Sequence, residues 1–158
     1  MKICKVCLQS DMLCGACSKK VESGQVKQID IKLSRVLNKV NKEKSFDMDF
    51  IHAIEDGSRL FVVVESKHAA RFIGSGGRNI KELSKLLGKQ VKLLEKAEGS
   101  DKHVIEKLIG APVLGINKLY SNGESYKVRV ESRYIKSVQP LSNVVGMMIG
   151  KKVSFVFE

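Results

Sequence analysis

The sequence predicts an α+β chain: a small N-terminal four-cysteine unit, then two units of the order α-β-β-α-α-β, the second a degenerate copy of the first. Three observations carry that reading. All four cysteines fall within the first 17 of 158 residues, as two C-x-x-C pairs. Beyond them, apolar residues alternate between the three-and-four steps of helices and the short β-branched runs of strands. Residues of the first half then recur, in order, in the second.

The pairs are Cys4-x2-Cys7 and Cys14-x2-Cys17, with six residues between them. Four thiolates suit a tetrahedral zinc site, each pair turning both sulfurs toward one ion. The short gap implies a miniature finger over residues 1–20, with the second pair at the start of the following helix. An iron–sulfur cluster takes the same ligands, so the spacing leaves the metal open. A redox dithiol is disfavoured because no βαβ pattern surrounds the cysteines. Four protein ligands leave no position for a substrate, so the site is expected to be structural. The N-terminus lacks the apolar core of a signal peptide, and no apolar run is long enough to span a bilayer. The expected location is the cytoplasm, with thiols reduced or metal-bound and no membrane attachment.

After the cysteines, Ile29, Leu33, Val36, Leu37 and Val40 mark one helix face. Two strands follow, FIHAIE and RLFVVVES, with a hairpin signal at Asp56-Gly57. A short helix over residues 67–73 leads into Gly74-Ser75-Gly76-Gly77, and a second helix buries Ile80, Leu83, Leu86 and Leu87 before capping at Gly88. A strand over residues 90–95 closes the unit.

The second unit repeats this plan. Gly57, Val62, Val64, Glu65 and Ser66 recur 66 residues later as Gly123, Val128, Val130, Glu131 and Ser132. Gly88, Lys89 and Val91 recur 62 residues later as Gly150, Lys151 and Val153. The lost residues fall opposite Gly74 to Gly77, where the second copy reads Gln139-Pro140. A helix is expected over residues 101–109, a hairpin turn at Asn122-Gly123, and a linker at Glu98-Gly99-Ser100. Gly146 to Lys152 faintly resembles a phosphate loop but lacks its glycine spacing and its Ser or Thr. His52, His68 and His103 are scattered and join no nucleophile or carboxylate set.

Lys and Arg number 28 against 17 Asp and Glu, a net charge of +11, which favours nucleic acid first and an anionic membrane surface second. Lys67, Arg71, Arg78 and Lys81 bracket the glycine turn, and no acid lies among them in sequence. A turn without side-chain bulk lets a phosphate approach the backbone, and the helix it opens offers free N–H groups.

The run FIGSGGRNI resembles the signature of the KH domain, and the order of elements resembles its type II form, found also in NusA-like transcription factors and small-subunit ribosomal proteins. The resemblance covers residues 21–97, leaving residues 98–158 as a degenerate KH-like unit without the turn. It implies an RNA-binding protein that grips single-stranded RNA. Gly74, Ser75, Gly76 and Gly77 would hold phosphates, Ile73 and Ile80 would shape the groove, and Lys67, Arg71, Arg78 and Lys81 would add charge. The variable turn positions often carry Lys or Arg in this family, whereas here they are Ser75 and Gly76. The resemblance to archaeal NusA-like proteins implies a role in transcription or RNA processing, with RNA polymerase as a partner. The alternative is a ribosome-associated structural or assembly factor on ribosomal particles. With no paired carboxylates and no open metal position, the chain is not expected to be an enzyme or to take a small-molecule substrate.

Overall fold

The computed structural model describes residues 1–121 and 123–158. The chain divides into two compact units, Met1–Leu94 and Glu95–Glu158. The four-cysteine segment belongs to the first.

Each cysteine pair opens a helix of its own. Cys4, in extended conformation, precedes α1 (Lys5–Leu8), and Cys14 likewise precedes α2 (Gly15–Glu22). The long helix α3 (Gln28–Lys44) begins at Lys27, whose N–H donates to Asp30 Oδ2 at 2.9 Å. An acidic group in the first turn also complements the helix dipole. The chain leaves α3 through Ser45 at φ 55°.

Two faces of α3 are buried. Ile29, Leu33, Leu37 and Val40 join the main core, with Val36 packed partly against it. Ile31 points the other way, into a small cluster with Ile3, Cys7, Cys17 and Val26. The sequence showed the first face only, because one isolated apolar residue makes no stripe.

Strands β1 (His52–Asp56), β2 (Arg59–Val64) and β3 (Gln90–Glu95) form a sheet with β2 in the middle. The β1–β2 hairpin turns at Gly57-Ser58, one residue later than the sequence suggested, because Asp56 pairs with Arg59. Gly57 takes φ 62°, which a two-residue hairpin loop demands. Helices α4 (Ser66–Ile73) and α5 (Arg78–Leu87) lie between β2 and β3 in sequence. The core is closed by Phe72 of α4, Leu83 and Leu87 of α5, and Leu60, Val62, Val64 and Val91 of the sheet. The expectation for α5 needs correction: its buried stripe is Asn79, Leu83 and Leu87, while Leu86 is 44% exposed. Leu86 stands about 100° around the helix from Leu87, beyond the edge of that stripe.

The second unit has the same order of elements. Helix α6 (Asp101–Ile109) is followed by β4 (Val113–Leu119) and β5 (Ser125–Val130). A 3-10 turn at Ser132–Tyr134 runs into α7 (Ile135–Val138), and a second at Gln139–Leu141 runs into α8 (Ser142–Ile149). Strand β6 (Lys152–Phe157) completes a sheet in which β5 is central, antiparallel to β4 and parallel to β6. The expected Asn122-Gly123 turn includes Asn122, which lies outside the described residues; Gly123 has φ 105°.

Corresponding positions of the two units are buried alike: Leu60 and Tyr126, Val62 and Val128, Val64 and Val130, Phe72 and Val138, Leu83 and Val145, Val91 and Val153. Gly88 and Gly150 both cap a helix in the left-handed conformation. Where the first unit inserts residues 74–77, the second passes through Gln139–Leu141 with Pro140 in its first turn, where no N–H is needed. Gly146 belongs to α8, and a Cβ there would stand 2.9 Å from the Lys151 carbonyl, so this glycine serves close packing. Inside the unit, Tyr126 donates to Asp101 Oδ2 at 2.5 Å, and Lys151 Nζ donates to the Tyr126 oxygen at 2.5 Å.

Candidate nucleic-acid interface and metal centre

Gly74 ends α4 at φ 71°, ψ 174° and Gly77 begins α5 at φ 76°, ψ 18°. Between them Ser75 and Gly76 are exposed, and Gly76 is again left-handed at φ 63°. The turn is closed by the Gly77 N–H on the Gly74 carbonyl at 3.2 Å and by the Arg78 N–H on the Ser75 carbonyl. Among the described backbone hydrogen bonds, none uses the N–H of Ser75 or Gly76. A Cβ on Gly76 would meet nothing within 4 Å, so the outer side of the turn is bare.

The inner side is held by Asn79, a buried polar residue that sequence reasoning missed. Its Nδ2 donates to the Arg71 carbonyl at 2.7 Å, and its Oδ1 accepts from Lys44 Nζ at 2.7 Å. Asn79 thereby ties the end of α4 to the start of α5 and to α3. It also sits directly under Gly74, where a Cβ would be 2.8 Å from its amide.

The residues predicted to bind RNA take different environments. Lys67 and Arg71 lie on α4, and both meet acids, Lys67 a neighbour two residues before it and Arg71 one that is distant in sequence. Lys67 Nζ is 3.6 Å from Glu65, and Arg71 pairs with Asp47 while its guanidinium stands 5.6 Å from the Phe46 ring centre. Ile73 is 43% exposed at the last position of α4, and Ile80 is partly buried against the main core. Arg78 and Lys81 lie on α5, exposed.

A groove runs from Ser75 and Gly76 along Arg78, Lys81, Ser84 and Lys85 to Gly88, Gln90 and Ser58. Among the described residues, no acid pairs with Arg78, Lys81 or Lys85. Glu82, also in the groove, is drawn to Lys44 at 2.9 Å, and Lys89 to Glu55 at 2.9 Å. Lys85 was missed from the sequence, although the steps from Arg78 to Lys81 to Lys85 place all three on one helical face.

The four cysteines converge. Their Sγ atoms all lie within 4.8 Å of one another, with Cys4 to Cys7 at 3.5 Å and Cys4 to Cys14 at 3.9 Å. Zinc–sulfur bonds of about 2.3 Å in a tetrahedron put sulfurs about 3.8 Å apart, so the donor set fits such an ion. Backbone N–H groups favour thiolates here. The Cys14 N–H points at Cys7 Sγ at 3.1 Å and the Cys4 N–H at Cys17 Sγ at 3.5 Å. The Cys7 N–H lowers the Cys4 thiol to about 7, and the Cys17 N–H lowers that of Cys14. Cys7, despite the pull of the Cys14 N–H, is pushed up to about 12 by burial and by the neighbouring thiols. Four like groups this close together conflict unless a cation stands between them. Cys7 and Cys17 are buried and Cys4 and Cys14 exposed, so the cluster sits at the surface of the small apolar cluster.

A helix–glycine turn–helix beside a three-stranded sheet, with the turn bare outside and cations on the helix it opens, is the architecture of a nucleic-acid-binding module. The KH-domain family model matches residues 37–139, well over half the chain, and the protein belongs to that family. KH domains are RNA-binding modules. The match extends from α3 of the first unit to the end of α7 in the second. The structure titled "Crystal structure of APE1850" aligns with a TM-score of 0.65 at 21% identity, covering 84% of this chain and 100% of that one, which shows a shared fold. No curated protein matches the chain. Among the described residues, no helix is long and apolar enough to cross a membrane.

Proposed function

We propose that this protein holds single-stranded RNA by seating a phosphate on the Ser75–Gly76 turn and laying the following nucleotides along the α5 groove. The observation that carries this reading is that, among the described residues, the N–H groups of Ser75 and Gly76 have no backbone partner and Arg78, Lys81 and Lys85, which follow them, pair with no acid. The division of labour is a metal-bound finger over residues 1–20, an RNA-gripping unit over 21–97, and a degenerate unit over 98–158 that lacks the cradle. The ion is zinc, held by Cys4, Cys7, Cys14 and Cys17, and its role is structural because four thiolates fill its coordination. The protein binds and does not catalyse. Its setting is transcription or RNA processing, with RNA polymerase as the partner complex, a reading that rests on the likeness to NusA-like proteins.

The test is the double variant Ser75→Asp, Gly76→Asp, which puts two negative charges where the phosphate would sit. Both positions are exposed, so no core contact is lost; Asp at the left-handed Gly76 carries about 1–2 kcal/mol of backbone strain, and binding is read well below the variant's melting temperature. Binding to a labelled tetranucleotide, measured by fluorescence anisotropy, should be lost. Unchanged binding by the folded double variant would refute the site.

A further inference from the structure

The second unit has no glycine turn, yet its sheet carries a surface that the first unit's sheet does not. Strand register sorts its residues cleanly. Tyr126, Val128, Val130 and Val153 face the unit's interior and are buried. On the opposite face the register sets Lys152 beside Ser125, Ser154 beside Lys127, and Val156 beside Arg129. Lys127, Lys152 and Ser154 are exposed there, and the Arg129 side chain is 39% exposed. Each cross-strand row thus carries one cation, and successive rows along β5 lie about 7 Å apart.

The face also lacks a side chain on β4 beside Arg129. Gly115 is paired with Arg129, and a Cβ on Gly115 would stand 2.2 Å from Arg129 Nη2 and 3.0 Å from its Cζ. The missing side chain lets the guanidinium lie across β4. One edge approaches Glu158 at 3.8 Å. Guanidinium planes are platforms on which unstacked bases of single strands settle.

Sixty-six residues earlier, the positions of Lys127 and Arg129 are Phe61 and Val63, both buried. Across the same offset Val62 and Val64 are kept as Val128 and Val130. The inner face is apolar in both copies, whereas the outer face is apolar in the first and cationic in the second, which packing within the unit does not require.

We propose that the open face of the β4–β5–β6 sheet is a second RNA-binding surface, taking phosphates of a single strand on Lys152, Lys127 and Arg129. It is independent of the glycine turn and adds contacts only for strands longer than the turn can hold.

The experiment uses the full chain carrying Lys127→Glu and Lys152→Glu, titrated with a tetranucleotide and with a long single-stranded RNA at several salt concentrations. Affinity for the long RNA should fall at least tenfold at low salt. Its log–log salt slope should shrink by about 1.4, since each phosphate contact on a single strand contributes about 0.7. Tetranucleotide binding should stay as in the parent, because the turn is untouched. Should the charge reversal lower the melting temperature, Lys127→Gln with Lys152→Gln gives the same slope test. Unchanged long-RNA affinity and slope in a folded variant would overturn the proposal and assign the face to an acidic protein partner. Failure of the turn itself reads out separately, as tetranucleotide binding that survives Ser75→Asp, Gly76→Asp.

Discussion

Replacing Gly74 by Ala should cost far more than the same change two residues later. Gly74 holds φ 71°, ψ 174°, a region open essentially to glycine alone, where another residue costs about 1–3 kcal/mol. The new Cβ would also stand 2.8 Å from Cγ and Nδ2 of Asn79. Asn79 cannot retreat freely, because it is buried and bonded at 2.7 Å both to the Arg71 carbonyl and to Lys44. Relieving that overlap adds about 1–3 kcal/mol, for a total of about 2–6 kcal/mol. Gly76→Ala meets only left-handed strain, about 1–2 kcal/mol, since the space around it is empty. In a unit of this size each kcal/mol moves the melting temperature by about 4–8 °C. Circular-dichroism melts should therefore show Gly74→Ala falling by about 10 °C or more and Gly76→Ala by clearly less. Equal losses in the two variants would mean that Asn79 does not brace the turn, and the reasoning would fail.

Two further outcomes follow from other parts of the chain. Protein prepared without chelator should carry about one metal ion per chain. Cys14→Ser should release it and raise proteolytic nicking before Val21 while the core built on Leu33, Leu37 and Phe72 stays folded, and metal analysis that finds no ion in the parent would end this assignment. In the second unit the Tyr126 hydroxyl, with Lys151, holds the Asp101 carboxyl below its ordinary range. A depressed folded value stabilises above the ordinary carboxylate pKa, and that stability is lost as pH falls through the folded value. Tyr126→Phe should cost about 1 kcal/mol near neutral pH, discounted for an Asp101 side chain 44% exposed, and should lose that deficit in acid. A deficit that is the same at both pH values would refute the pairing.

Much of this architecture was legible because its signals are local. The apolar steps of α3, the β-branched run of β2 and the glycine caps at Gly88 and Gly150 are each contained in a few consecutive residues. The boundaries of α6 could be read from Ser100 at the N-cap and Gly110 past the end. What sequence could not give depends on residues brought together by the fold. Leu86 looks apolar enough to be buried, yet the helix meets the core along a narrower stripe. Asn79 reads as a surface residue until α4 and α5 close around it. The acid-free stretch between Lys67 and Lys81 acquires Asp47, from the chain between α3 and β1, only in three dimensions.

That last contact has a kinetic consequence. On the α4 side of the turn the positive charge is already answered, Arg71 by Asp47 and Lys67 by Glu65. On the α5 side Arg78, Lys81 and Lys85 meet no acid among the described residues. The field around the turn is therefore lopsided. An approaching polyanion feels the net attraction from one flank and is drawn in along α5 before any hydrogen bond forms. Long-range attraction of this kind acts on how fast partners meet and weakens steeply with ionic strength. On the proposed function the bare glycines then govern how long the strand stays, and that reading assigns capture to α5 and retention to the turn.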